Sequence, residues 1–283
     1  ANDIRRYFPD PKSQEITPQP LGFGPSTLQT SRDHSLLSGH EYRSEPLGHV
    51  TQIMIRDYVP AGGAKTDTTR GPALATIYDQ TLEVSGAMGH AHGGYGQEIL
   101  SDVVLGKSDW VELLQFGFYR GIGLEGYYAT LNSGFRYPLG GASDYPYCRA
   151  LSDCVTFVRE GPGPTFDTIT EGMLRAEAFA TSGPLLFLSV NDKGPGDSLE
   201  FQGRDPQTVR VKVKAISSYL PFSDVEIILN GQVAGTFRSP APVFHQEGEI
   251  EVRVGESSWI AARCHGPQDT RAHTNPVWIV FDG

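Results

Sequence analysis

Positive charge is scarce in this chain. Its 283 residues carry 23 Lys and Arg against 33 Asp and Glu, a formal net charge of -10, and the cations do not cluster, which argues against a nucleic-acid backbone as partner. Cysteine is nearly absent: the three residues Cys148, Cys154 and Cys264 are too few for a disulfide framework, although a short bridge between Cys148 and Cys154 stays open. No apolar run approaches the roughly 20 residues a membrane-spanning helix needs, and no signal-peptide pattern opens the chain. A soluble protein with no membrane partner is therefore expected. A Gly-x-Ser-x-Gly elbow is missing and no base accompanies Cys148 or Cys154, which disfavours covalent Ser or Cys catalysis. The first residue is Ala1 rather than Met, so a processed or truncated chain is expected, with a periplasmic or secreted location favoured over the cytoplasm.

What the chain has is glycine, proline and two textures of hydrophobic pattern. Up to about Ser35 it reads as an irregular lead-in. From there strand-like runs (50–55, 111–116, 155–158) alternate with helical faces: Leu74, Ile77, Tyr78 and Leu82; Leu124, Tyr127, Tyr128 and Leu131; and a helix over 167–180 with Ile169, Met173 and Leu174 inward. Such alternation predicts an α/β fold with a parallel sheet or barrel. After Pro184 only short strand candidates remain, at 185–190, 209–213, 225–229, 233–237, 250–254, 259–262 and 277–281, and Asn230-Gly231 marks a type I′ hairpin. This predicts an antiparallel β-sandwich over 191–283 behind an α/β domain over 1–190, with the boundary near Asn191 to Gly196.

Metal-ligand residue types recur where apolar runs stop: His40 and Glu41, His49, His90 and His92, Asp109 and Glu112, and Asp144. A barrel of parallel strands gathers such residues at its strand ends. Imidazoles and carboxylates around an open position are what metal-assisted hydrolysis needs, because a bound water there loses a proton near neutral pH. His90-Ala91-His92 has a strand-like spacing that predicts both rings on one face. Zinc and manganese are the ions that donor set suits.

The runs Gly39-His40-Glu41-Tyr42, Pro46-Leu47-Gly48-His49, Gly89-His90-Ala91-His92-Gly93-Gly94-Tyr95-Gly96 and Gly140-Gly141-Ala142-Ser143-Asp144 together resemble the PHP-type metallohydrolases of the carbaryl-hydrolase-like (CehA/McbA) branch. Ala180 to Phe187, Trp259 to Arg263 and Ala272 to Val277 extend the resemblance to the C-terminal end. It implies the C-terminal part of a distorted (β/α) barrel with divalent ions at the strand ends, followed by a β-sandwich. Position by position it implies Glu41, His49, His92 and Asp144 as metal ligands. His40, His90 and Glu112 are the candidates to support them, and Arg136 and Tyr145 the candidates to line a substrate pocket.

That branch begins with an Asp-x-His-x-His strand, which has no counterpart here, and the residue two after Asp144 is Pro146, which binds no metal. The expectation is therefore the later part of a longer metal-dependent hydrolase. It would use metal-activated water on an ester, amide, carbamate or phosphoester bond of a small-molecule substrate. The alternative is a non-catalytic scaffold or binding module on a decayed or truncated barrel. An N-terminal fragment of the same protein and a second copy of the chain are the partners left open.

Overall fold

A computed structural model describes residues 22–23, 28–30, 35–37, 39–44, 46–56, 59–60, 72–145, 147, 150, 152–159 and 165–282. Cys148 lies outside the described residues. Among these, no helix is long and apolar enough to cross a membrane. The chain divides into two compact units, residues 1–109 and 110–283.

In the first unit, two short antiparallel pairs, β1 (Gly22–Phe23) with β6 (Val59–Pro60) and β2 (Leu28–Thr30) with β3 (Ser35–Leu37), accompany a larger ladder. That ladder is β4 (His40–Ser44), β5 (Gly48–Ile53) and β7 (Ala87–His90), and it is antiparallel throughout. The expected parallel arrangement is not found here. The reason is the connection: Ser44 pairs with Gly48, and so short a link can only return the chain antiparallel, whereas parallel strands need a crossover of a dozen residues or more. Gly48 closes the hairpin at φ 109°, a conformation that side chains with a Cβ rarely adopt.

Alternation along β4 and β5 separates two faces. Tyr42 and Val50 turn into a core with Leu74, Ile77 and Tyr78 of α1 (Leu74–Glu83). The helix buries Thr81 where Leu82 was expected; Leu82 is exposed. Thr81 is drawn inward because its hydroxyl donates to the Ile77 carbonyl and accepts from the buried Gln52 amide of β5. No residue of its own caps α1; Glu98 Oε2 accepts from Leu74 N at 2.9 Å instead. Asp109 secures the strand that follows, accepting from Met88 N and Tyr78 Oη, both at 2.9 Å. Burial pushes its carboxyl up from the ordinary range, against those two hydrogen bonds.

The second unit opens with β8 (Val111–Gln115), β9 (Phe118–Tyr119), α3 (Gly123–Asn132) and β10 (Leu139–Gly141), the last parallel to β8. β11 (Val155–Val158) and β12 (Ala178–Thr181) flank α4 (Phe166–Leu174). α4 starts at a Thr165–Thr168 capping box and stops at Arg175, because Ala176 turns left-handed at φ 60°. The helix expected to reach Ala180 therefore ends early, residues 178–180 belong to β12 instead, and Ile169 is exposed while Thr170 and Gly172 face inward.

Two sheets then form a β-sandwich. The smaller is β13 (Leu185–Val190), β15 (Gln207–Ile216) and β18 (His245–Val254), all antiparallel. The larger runs β11-β12-β20-β19-β16-β17, with β20 (Arg271–Thr274), β19 (Ser258–His265), β16 (Phe222–Leu229) and β17 (Gln232–Val243). β21 (Val277–Asp282) joins β19 and carries β14 (Ser198–Gln202) parallel to it. One core holds both sheets together: Leu186, Val211 and Val252 from one, Val225, Ile227, Ile260 and Cys264 from the other. The Asn230-Gly231 turn has φ 48° and 85°, and Leu229 pairs with Gln232 across it, the two-residue type I′ hairpin its sequence predicts. β11 ladders with β12, and β12 with β20 of this sheet, so residues before 190 contribute to the same unit as the sandwich. Asn275, fully buried, accepts from Leu139 N and donates to the Leu139 and Ala178 carbonyls.

Candidate metal centre

The face of the β4–β5 hairpin opposite the core carries Glu41 and Arg43 on one strand and His49 and Thr51 on the other. Period-two alternation alone puts these four side chains together. Glu41 Oε1 accepts from His49 Nδ1 at 3.1 Å, and Glu41 Oε2 accepts from Arg43 Nε and Nη2 at 2.9 and 2.6 Å.

The third member of the cluster arrives from 51 residues away: His92 Nε2 donates to the same Glu41 Oε1 at 2.9 Å. It reaches there through an unusual backbone. β7 ends at His90, and the next turn places His92, Gly93, Gly94 and Tyr95 in succession at φ 55°, 64°, 69° and 51°. A left-handed residue with a Cβ costs about 1–2 kcal/mol, and two of these four have one, so the turn holds strain at the site it builds. Gly94 has no alternative, since a Cβ there would lie 2.5 Å from Ile99 Cβ. The expectation that His90 and His92 share a face fails for this reason. The strand stops between them, and His90 Nε2 is instead hydrogen-bonded to Asp102 Oδ2 at 3.0 Å.

The donor atoms of Glu41, His49 and His92 lie within 4.8 Å of one another. Tyr95, half exposed, sets its ring 5.3 Å from the His49 ring and 4.9 Å from the His92 ring, and the two imidazoles stand 5.3 Å apart. Burial raises the Glu41 carboxyl pKa, but the hydrogen bonds from His49, His92 and Arg43 outweigh it and hold the group well below the usual carboxylate range. Glu41 is thus an anion that only accepts, and His49 Nδ1 and His92 Nε2 are both donors. Two imidazoles and a carboxylate are also the donor set of many zinc sites, with ligand bonds of about 2.0–2.2 Å, so this trio can hold a divalent cation.

The remaining expected residues fall elsewhere. By strand alternation His40 shares the core-side face with Tyr42 and Ser44, opposite Glu41. Glu112 is half-buried on β8, and Asp144 follows β10 with φ 51°, its carbonyl accepting from Tyr147 N; both belong to the second unit, and neither joins the clustered donor atoms. Arg136 stacks its guanidinium 5.1 Å from the Trp278 ring centroid and donates to Ser198 Oγ. Tyr145 is exposed. Sequence reasoning overlooked Arg43, Tyr95 and Asp102. Arg43 was legible as the residue two after Glu41 on the same strand face. Tyr95 and Asp102 were not, because nothing local announces a left-handed turn.

No protein-family model and no curated protein matches the chain. Among solved structures it is similar to the fibronectin(III)-like modules of Clostridium thermocellum CbhA, at 16% identity over 34% of this chain and 95% of that one, TM-score 0.22. It is also similar to the CARDB domain of the PF1109 protein from Pyrococcus furiosus, solved in complex with di-metal ions, at 17% identity over 35% of this chain and 96% of that one, TM-score 0.22. A lytic polysaccharide monooxygenase from Jonesia denitrificans gives 14% identity over 55% and 93% of the two chains, TM-score 0.23. At such scores none of the three bears on activity.

Proposed function

We propose that Glu41, His49 and His92 hold a divalent cation, zinc or manganese, and that the chain is a metal-dependent hydrolase of small molecules or the metal-bearing part of one. The observation that carries the reading is the convergence of two imidazoles and one carboxylate, from a hairpin and a distant turn, to within 4.8 Å. A bound ion of this kind brings the pKa of a coordinated water toward neutrality and so supplies a nucleophile for an ester, amide, carbamate or phosphoester bond. The residues then have separate tasks. His49, His92 and Glu41 would hold the ion, each imidazole through one ring nitrogen with its proton on the other. Arg43 keeps Glu41 ionised and holds its Oε2, leaving Oε1 to face the imidazoles. Tyr95 covers one side of both rings.

The PHP-type resemblance supports hydrolysis as the chemistry; Asp144, the ligand it adds, is not needed for the reading. A second reading, a non-catalytic module, is favoured by one observation: Glu41 already satisfies both imidazoles and Arg43, so the cluster is coherent as a structural network. A panel of chromogenic esters, amides, carbamates and phosphoesters separates the two. The zinc- or manganese-loaded chain is expected to cleave at least one member, with the rate abolished in His92→Ala; a wild type no faster than His92→Ala on every member sinks the hydrolase.

A further inference from the structure

One buried polar pair beside this site is not accounted for by it. His90, the last residue of β7, and Asp102, in α2 (Ile99–Val104), are 12 residues apart, hydrogen-bonded at 3.0 Å, and shielded from solvent to 0% and 1% side-chain exposure. Their other polar atoms, His90 Nδ1 and Asp102 Oδ1, are buried with no hydrogen-bond partner among the described residues. A half-satisfied pair is an expensive way to fill a core, and two apolar side chains of similar volume serve stability as well or better. What an apolar pair lacks is direction.

The pair closes a loop whose middle is the left-handed turn carrying His92 and Tyr95. Other contacts fasten the same loop. Gln97 N donates to the Gly94 carbonyl, Glu98 N to the Leu47 carbonyl of the hairpin turn, and Asp102 N to the Glu98 carbonyl. Ile99 fills the space beneath Gly94. These fix where α2 sits, but His90–Asp102 is the side-chain link that joins the end of the strand to the helix across the turn. Left-handed residues with a Cβ persist only where their surroundings over-determine them.

We infer that the His90–Asp102 hydrogen bond is a clamp that sets the left-handed turn and so positions His92, with Tyr95, against Glu41. His90 and Asp102 are positioning residues: neither is among the clustered donor atoms. The inference takes its purpose from the metal-centre reading, but the geometry it concerns is that of the metal-free chain, so the two can fail separately.

The test uses the full chain with 15N-labelled histidine. In the metal-free wild type, long-range proton–nitrogen spectra are expected to show His92 Nε2–H as a hydrogen-bonded signal. Asp102→Leu, which keeps the side-chain shape, should lose or shift it and weaken zinc binding by about tenfold or more, the usual effect of removing an outer partner from a metal site. Asp102→Asn, which still accepts a hydrogen bond from His90, should restore both. If Asp102→Leu does not fold, His90→Phe carries the same test with a ring in the same slot. A lower melting temperature with the His92 signal and zinc affinity both unchanged would show a merely structural pair and overturn the inference. Loss of the signal in a chain whose wild type takes up no zinc would support the clamp and remove the metal reading alone.

Discussion

Two buried histidines, one in each unit, show what separates a structural imidazole from a candidate ligand. His273, in the sandwich, donates from Nδ1 to the Thr274 carbonyl at 2.7 Å and accepts at Nε2 from Tyr128 Oη at 2.7 Å. Both ring nitrogens are satisfied by neutral groups, and burial pushes its pKa down to about 4. His92 is buried almost as deeply, yet it faces an ionised carboxylate that a second imidazole also faces. The first arrangement locks a tautomer; the second brings convergent donor atoms around one anion. Burial and residue type are the same, and the charge and number of the partners make the difference.

The largest effect expected lies on the structural side. Trp259 is nearly fully buried, packs 5.2 Å from the Tyr128 ring and donates from Nε1 to Asn132 Oδ1. Trp259→Ala should cost about 3–5 kcal/mol in urea unfolding while the folded protein binds zinc as before; a parallel loss of metal affinity would blur the contrast between the units.

His273 sharpens it through pH. Its pKa is about 4 folded against 6.5 for the ordinary group, so the unfolded chain binds the proton first as pH falls. The stability this residue contributes is full above about pH 6.5 and is lost progressively down to about 4, some 3 kcal/mol in all. Urea midpoints of wild type and His273→Gln should show that slope in the former and its reduction in the latter. An equal pH dependence in both would mean the imidazole is not held neutral.

On the ligand side, Gly94→Ala forces a Cβ into a left-handed residue and against Ile99. A loss of about 2–3 kcal/mol is expected, together with weaker zinc uptake; unchanged calorimetry would show the turn is softer than its backbone angles suggest. Smallest is Arg43→Gln. Arg43 is exposed, so stability should shift by less than about 1 kcal/mol.

Where hydrophobic alternation is strong, the sequence is readable: the strands at 155–158 and 185–190 and the Asn230-Gly231 turn stand where the pattern puts them. It misleads where one residue breaks the period. Ala176, turning left-handed, ends the expected helix early and leaves its last stretch to β12, and the short link from Ser44 to Gly48 makes an antiparallel hairpin where a parallel barrel is expected. Glu41, His49 and His92 were identified from residue type and resemblance, and they do meet. What sequence could not supply is the route by which they meet. His90 was grouped with His92 by spacing, but the strand ends between them and sends each ring to a different carboxylate. Asp102 was invisible because its importance comes only from burial beside that strand end.

A cation is expected at the His49–Glu41–His92 cluster and none at His273. Calorimetric zinc titration of the chelator-stripped full chain tests it directly. Uptake of about one ion per chain is expected, abolished by His92→Ala or Glu41→Gln and untouched by His273→Gln. No uptake by the wild type, or uptake that survives both ligand substitutions, would contradict it.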